Sequence, residues 1–299
     1  MKLKKLLAFG LIMSMTLGFT ACSSKESNTD KDSATNEQGT EETSDDAGNE
    51  SENLAGTVVI TGSTSVEKIL LDMIDEFQAI HPDVKINYTG TGSSAGIQDA
   101  IDGVNSLGAS SRELKEEELS QGLTADPFAY DGIAVVVHPS NDIEDISLED
   151  LAKIYSGQIT NWKELGGKDA EIVAVSREGA SGTKSAFEEL IGLEDAGGLT
   201  ESATVVEGNG NVQTSVAGNE NAIGYVSFSF IDDTVKALTV GGVEANPENA
   251  KSSDYKLSRP FLFAYKEDSL TPEAKAFVEF SKTEDAQAYV EEHGGIKVD

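Results

Sequence analysis

Hydrophobic and polar positions fall into a regular pattern only from Leu54 onward, where short apolar runs alternate with stretches of helical periodicity. That alternation predicts an α/β fold. TVVI (57–60) reads as a strand, followed by TGSTS and then VEKILLDMIDEFQAI, where Ile69, Leu70, Met73, Ile74 and Phe77 share one helical face. VKINYT (84–89) leads through GTGSSAG into IQDAIDGV, and EIVAVS (171–176) leads through REGASGT into KSAFEELI. In that last helix Ala186, Phe187, Leu190 and Ile191 are spaced for one face. TVVEGNGN (204–211) precedes a short helix and a strand in AIGYVSF. GIAVVVHP (132–139) reads as a buried strand, LEDLAKIYSGQITNWKEL as two short helices around a turn, and RPFLFAYK (259–266) as a late strand. The chain closes on helical segments, the first opened by Thr271 as cap and Pro272 in the first turn.

One unit therefore recurs: strand, polar Gly/Ser/Thr turn, helix. A helix start carries unpaired backbone N–H groups and the positive end of the peptide dipole. Glycine lets a ligand approach that backbone, and hydroxyls add donors. Several such starts converging at strand ends form an anion site with few positive side chains. A single Gly/Ser turn is ordinary capping. SREGASGTKSAFEEL (176–190) is more specific, because Arg177 stands just before SGT and adds a forked, permanently charged donor set.

Composition narrows the partners. The chain has 299 residues and a formal net charge of −31, which opposes nucleic-acid binding and electrostatic docking on anionic lipid. Hydrophobic content of 38% fits a soluble globular body. Residues 1–21 do not fit it: three lysines within Met1–Lys5 precede an apolar run ending at Ala21, the layout of a secretory signal. The sole cysteine, Cys22, follows at once, and residues 23–53 are acidic, Ser/Thr/Asn-rich and predicted disordered.

Enzyme chemistry finds little support. GASGT carries Thr183 where a G-x-S-x-G elbow ends in glycine, and the three histidines, His81, His138 and His293, all stand in turns or near the terminus. No His or Cys spacing suits a metal, and GTGSSAG lacks the lysine of a P-loop.

GSTS after the first strand, GSSAGI at the second helix start, LGASSREL, R-x-x-x-SGT at 177–183, DGIAVVVHP, LAKIYSGQITNW and NAIGYVS together carry a resemblance. Over 54–299 the chain resembles the phosphate-binding lipoproteins of bacterial phosphate ABC importers, a group of periplasmic-type substrate-binding proteins. The resemblance implies two α/β lobes joined by a hinge, residues 54–133 with 259–299 and residues 134–258, with the ligand in the interlobe cleft. It implies phosphate contacts from Thr64, Ser65, Ser93, Ser111, Arg177, Ser181, Gly182 and Thr183, and no cofactor or catalytic step. Ser111 stands where some members carry an aspartate, which keeps sulfate open as an alternative to phosphate; a phosphate-ester hydrolase is the remaining alternative. Arg112, beside it, is either a second charge at the site or a surface helix start. The residues around Cys22 resemble a lipoprotein signal, implying a lipidated cysteine, a membrane-anchored extracytoplasmic location, a monomeric binding protein, and permease and ATPase subunits as partners.

Overall fold

The computed structural model describes residues 54–298; the signal segment, Cys22 and the acidic linker lie outside the described residues. The first half of the chain follows the predicted rhythm. β1 (Gly56–Gly62), α1 (Glu67–Ile80), β2 (Val84–Gly90), α2 (Ser93–Asp102) and β3 (Leu107–Ser110) succeed one another, with β1 central and parallel to both neighbours. α1 buries the expected five residues, Ile69, Leu70, Met73, Ile74 and Phe77. A short α3 (Glu116–Leu119) precedes β4 (Thr124–Val137), which begins eight residues before the run GIAVVVHP. Pro127 hides that extension in the sequence, because proline disfavours a strand interior. It is accommodated where the pairing of β4 with the late strand shifts register, between Phe261 and Leu262.

The second half adds β5 (Asp145–Ile146), α4 (Leu148–Tyr155), β6 (Val173–Arg177), α5 (Gly182–Leu190), β7 (Thr204–Val206), α6 (Gly208–Ala217) and β8 (Ala222–Ser227). α6 starts inside GNGN, so β7 is shorter than the apolar pattern suggested. Short strands β9 (Lys236–Ala237) and β10 (Thr239–Val240) and helix α7 (Pro247–Lys251) lead to β11 (Ser258–Tyr265). α8 (Pro272–Phe280), α9 (Glu284–Glu292) and β12 (Ile296–Lys297) complete the chain, with Thr271 accepting from Ala274 N–H as the expected cap.

The strands run in the order β2-β1-β3-β11-β4-β8-β6-β7. Parallel pairing at both ends of this path is joined by antiparallel pairing through β11 and β4. Two hydrophobic cores are bridged by β4 and by β11 together with the residue that precedes it. Phe128 and Ala129 of β4 and Phe261 and Phe263 of β11 belong to the core around α1, whereas Ile133–Val137 and Leu257 belong to the core around Tyr155, Phe187 and Tyr225. Between the two stretches of β4 sits Gly132, where an added Cβ would lie 2.0 Å from the Phe228 ring. The chain thus passes from one core to the other and back along an antiparallel pair, and the Gly/Ser/Thr turns of both halves meet beside that crossing.

Candidate functional site

The polar turns are not solvated caps. Ser63, Ser65, Ser93, Ser110, Ser111, Arg177, Ser181 and Thr183 are all buried. Burying so many hydroxyls and a guanidinium is unfavourable unless their hydrogen-bonding capacity is used, so the contacts among them define the site.

Each sequence-predicted residue falls in one cluster or borders it. Ser65 Oγ lies 2.7 Å from Thr183 Oγ1, joining the turn after β1 to the start of α5. Arg177 Nη2 donates to Thr64 Oγ1 at 3.1 Å, a second link between the same two turns. Ser93 Oγ, at the start of α2, accepts from Ser111 N–H at 3.0 Å and lies 3.2 Å from Ser111 Oγ. Gly182 packs against that pair: a Cβ there would stand 2.2 Å from Ser93 Oγ and 2.7 Å from Ser111 Oγ. Ser94 N–H donates to Ala180 O at 3.1 Å, so the starts of α2 and α5 face each other at contact distance. Ser181 is buried beside them, and its hydroxyl accepts from Lys184 N–H as the N-cap of α5.

Arg177 is the charged centre. Its Nε and Nη2 donate to Glu178 at 2.9 and 2.8 Å, and its main-chain N–H donates to Tyr225 Oη. Phe187 stacks on Tyr225 with ring centroids 4.0 Å apart, which fixes the end of β6. Burial pushes the Tyr225 phenol well above its ordinary value, so it stays a neutral hydroxyl. The remaining terminal nitrogen, Arg177 Nη1, is buried with no protein partner. The first N–H groups of α5 have no intrahelical acceptor either, by helix geometry. A buried guanidinium nitrogen, helix-start amides and a ring of hydroxyls together form a donor set chemically suited to an oxyanion, in which backbone and neutral donors outnumber formal charges.

Arg112 is not the surface residue that one of the two expectations made it. It is buried, and its Nη1 and Nη2 form a two-pronged pair with Glu118 at 2.8 and 2.7 Å. Although burial raises the Glu118 carboxyl, the hydrogen bonds and charge of Arg112 hold it below its ordinary value. Its charge is therefore matched locally, although its Nε, like Arg177 Nη1, is buried with no protein partner.

Three contributors escaped the sequence reading. Asp131 on β4 and Arg259 on β11 form a fully buried ion pair, Arg259 Nε and Nη2 donating to Asp131 Oδ2 at 3.2 and 2.8 Å. Arg259 also reaches the site, donating to Ser111 O at 3.1 Å and to Ser65 Oγ at 3.2 Å. Asn209 in α6 donates to Ser65 Oγ at 3.1 Å. The available signal was a charge embedded in each of two apolar strand runs, since a buried charge requires a partner.

The enzyme reading gains no residue from the fold. His293 pairs with Asp72 at 2.6 Å and His138 with Ser140 at 2.8 Å. Among the described residues no group of three or more His, Cys, Asp or Glu could hold a metal ion, and no helix is long and apolar enough to cross a membrane.

Comparison with known proteins fits this geometry. The model of the PBP superfamily domain matches residues 47–285. The phosphate-binding protein PstS of Bacillus subtilis is 34% identical over 253 residues, covering 83% of this chain and 82% of that protein. A Clostridium perfringens protein solved with bound phosphate, described as a candidate phosphate ABC transporter substrate-binding protein, is 48% identical, with a TM-score of 0.79 over 82% of this chain and all of that one. An ABC-type phosphate transport receptor from Vibrio cholerae is 36% identical, with a TM-score of 0.70 over 81% of this chain and all of that one.

Proposed function

The chain belongs to the PBP superfamily, and from that membership we propose that its buried hydroxyl-and-arginine site captures inorganic phosphate for an ABC importer. It is a binding protein and not an enzyme, like the phosphate-binding relatives it matches. The observation that carries the ligand assignment is Arg177 Nη1: a buried, unpaired donor among Thr64, Ser65, Ser93, Ser111 and the start of α5. A tetrahedral oxyanion offers several acceptors in different directions, which suits donors converging from four turns.

The eight contact residues are Thr64, Ser65, Ser93, Ser111, Arg177, Ser181, Gly182 and Thr183, drawn from both sides of the β4–β11 crossing. With residues 54–133 and 259–299 as one lobe and 134–258 as the other, phosphate binding and lobe closure are one event. The hinge then lies where β4 and β11 leave one core for the other. Phosphate is taken up outside the cytoplasm and passed to the permease and ATPase subunits of the importer by a monomeric protein. Cys22 is the lipidated residue that anchors it to the membrane, and a Cys22→Ala chain recovered in the soluble fraction at full length would support that anchor.

Sulfate remains the alternative ligand for a specific reason. A carboxylate facing the ligand would reject an oxyanion with no proton, but Ser111 supplies a hydroxyl instead. The two carboxylates of the surrounding network are both committed: Asp131 takes four hydrogen bonds from Arg259, Ser227 and Phe228, and Glu178 takes bonds from Arg177 and Gly208 N–H. Isothermal titration of the chain with phosphate and with sulfate tests the assignment. Heat with phosphate that survives excess sulfate is the expected result; tighter binding of sulfate would reassign the ligand, and no heat with either would sink the reading.

A further inference from the structure

Ser65 Oγ lies within hydrogen-bond distance of three side chains: Thr183 Oγ1 at 2.7 Å, Asn209 Nδ2 at 3.1 Å and Arg259 Nη2 at 3.2 Å. A hydroxyl has one proton and two lone pairs, while guanidinium and amide N–H groups only donate. The orientation of the Asn209 amide is set from outside the site. Ser227 N–H, which cannot accept, donates to Asn209 Oδ1 at 3.1 Å and so turns Nδ2 toward Ser65. Arg259 is held on its other side by Asp131, whose second oxygen accepts from Ser227 Oγ at 2.9 Å and from Phe228 N–H. Asp131, Arg259, Ser65, Asn209 and Ser227 therefore close a buried ring of hydrogen bonds across β4, β11, the turn after β1, α6 and β8.

The ring has a chemical consequence for the site. Two obligate donors fill both lone pairs of Ser65 Oγ, so the Ser65 proton must point to Thr183 Oγ1. Thr183 then accepts from Ser65 and keeps its own proton.

We propose that Arg259 and Asn209, held by Asp131 and Ser227, are positioning residues that fix the direction of the Ser65–Thr183 hydroxyl chain and so reserve the Thr183 proton for the bound oxyanion. Without them Thr183 would donate to Ser65 and turn a lone pair toward an anion, which repels it. Arg177 acts in the same sense on Thr64, whose oxygen accepts from Nη2 and whose proton stays available. The two guanidinium groups thus work on the ligand through neutral hydroxyls as well as through charge. This inference rests on the oxyanion-binding reading given above and specifies how that site selects acceptors.

Arg259→Ala would leave Asp131 buried without a counter-charge, so the test runs through Asn209, whose loss strands no charge. Thr183→Val is titrated with phosphate in three backgrounds: the wild-type chain, Asn209→Asp and Asn209→Ala. In the wild-type background, losing the Thr183 hydroxyl should weaken phosphate binding about 10- to 100-fold, the range for a hydrogen bond to a charged group. In Asn209→Asp the Ser65 proton turns to the new carboxylate and Thr183 donates to Ser65, so the same substitution should cost less than about 3-fold. Comparison within one background cancels the repulsion of the added charge. Asn209→Ala should give a value between these, and it keeps the test open if the carboxylate prevents folding. Equal losses in all backgrounds, or no loss from Thr183→Val in the wild type, overturn the relay. Failure of the wild-type chain to bind phosphate overturns the phosphate assignment instead, so the two failures are distinguishable.

Discussion

Two of the buried arginines, Arg177 and Arg259, have opposite designs. Arg177 pairs with its immediate neighbour, Glu178, which stays partly exposed, and one of its terminal nitrogens has no protein partner. Arg259 pairs with Asp131, 128 positions away in sequence, with both side chains almost fully excluded from solvent. The first arrangement leaves capacity for a ligand. The second uses its charge within the protein and directs the remaining donors to Ser65 and Ser111. Burial drives Asp131 upward and Arg259 downward toward their neutral forms, and the charge of each partner opposes the shift. One arginine thus keeps a donor free of protein partners, while the other ties the β4–β11 crossing to the turns that carry Ser65 and Ser111.

That contrast can be broken from either side. The largest effect is expected from Asp131→Ala, which strands Arg259; removing one partner of a buried pair costs about 3–5 kcal/mol. A large fall in melting temperature with ligand absent would show that this pair carries the fold, and a variant as stable as the wild type would erase the distinction. Arg177→Ala should do the reverse. Phosphate affinity should fall by about 2 kcal/mol or more, roughly thirty-fold at least, while the unliganded melting temperature changes less than in Asp131→Ala.

Gly182→Ala comes next. Its Cβ would meet Ser93 Oγ at 2.2 Å and Ser111 Oγ at 2.7 Å, forcing the starts of α2 and α5 apart. Overpacking of this kind costs about 1–3 kcal/mol, and calorimetry should register it as weakened phosphate binding.

The smallest effect is a pH dependence confined to the Arg177 side. Burial raises the Glu178 carboxyl, but its hydrogen bonds and charge interaction with Arg177 outweigh that and hold it below its ordinary value. A depressed carboxylate contributes stability that is complete above its ordinary value and disappears as pH falls through the lower folded value. The stability difference between the wild type and Glu178→Gln should therefore be present at neutral pH and shrink in acid. A difference that grew in acid would contradict the pairing.

Much of this site was legible in the sequence because its signals are local. Gly/Ser/Thr turns preceding helix starts, with Arg177 set just before SGT, pointed to an anion site, and the family resemblance implied the individual residues; the fold brings Thr64, Ser65, Ser93, Ser111, Gly182 and Thr183 into one buried cluster. Arg112 shows where local reading stops. Its position beside Ser111 fitted a ligand-facing charge or a surface residue; it is buried, and Glu118, in the single turn of α3, takes both terminal nitrogens. Asp131 and Arg259 showed locally only that a charge in an apolar strand run needs a partner, and Asn209 showed nothing; which groups they serve was not legible, because each acts on Ser65 or its partners across a long separation in sequence. Pro127 acts in the other direction, masking the first eight residues of β4 although the register shift beside it absorbs the proline.

By itself the sequence determined the alternation of strands and helices, the cap residues and the donor chemistry of each turn, because these depend on neighbours within a few positions. Only the tertiary structure decided which turns meet, that β4 and β11 pass between both cores, and that Ser65 is surrounded by donors on two sides. Those outcomes depend on strand pairing between distant segments. The direction of a buried hydroxyl proton is fixed by whichever groups that pairing brings within 3.2 Å.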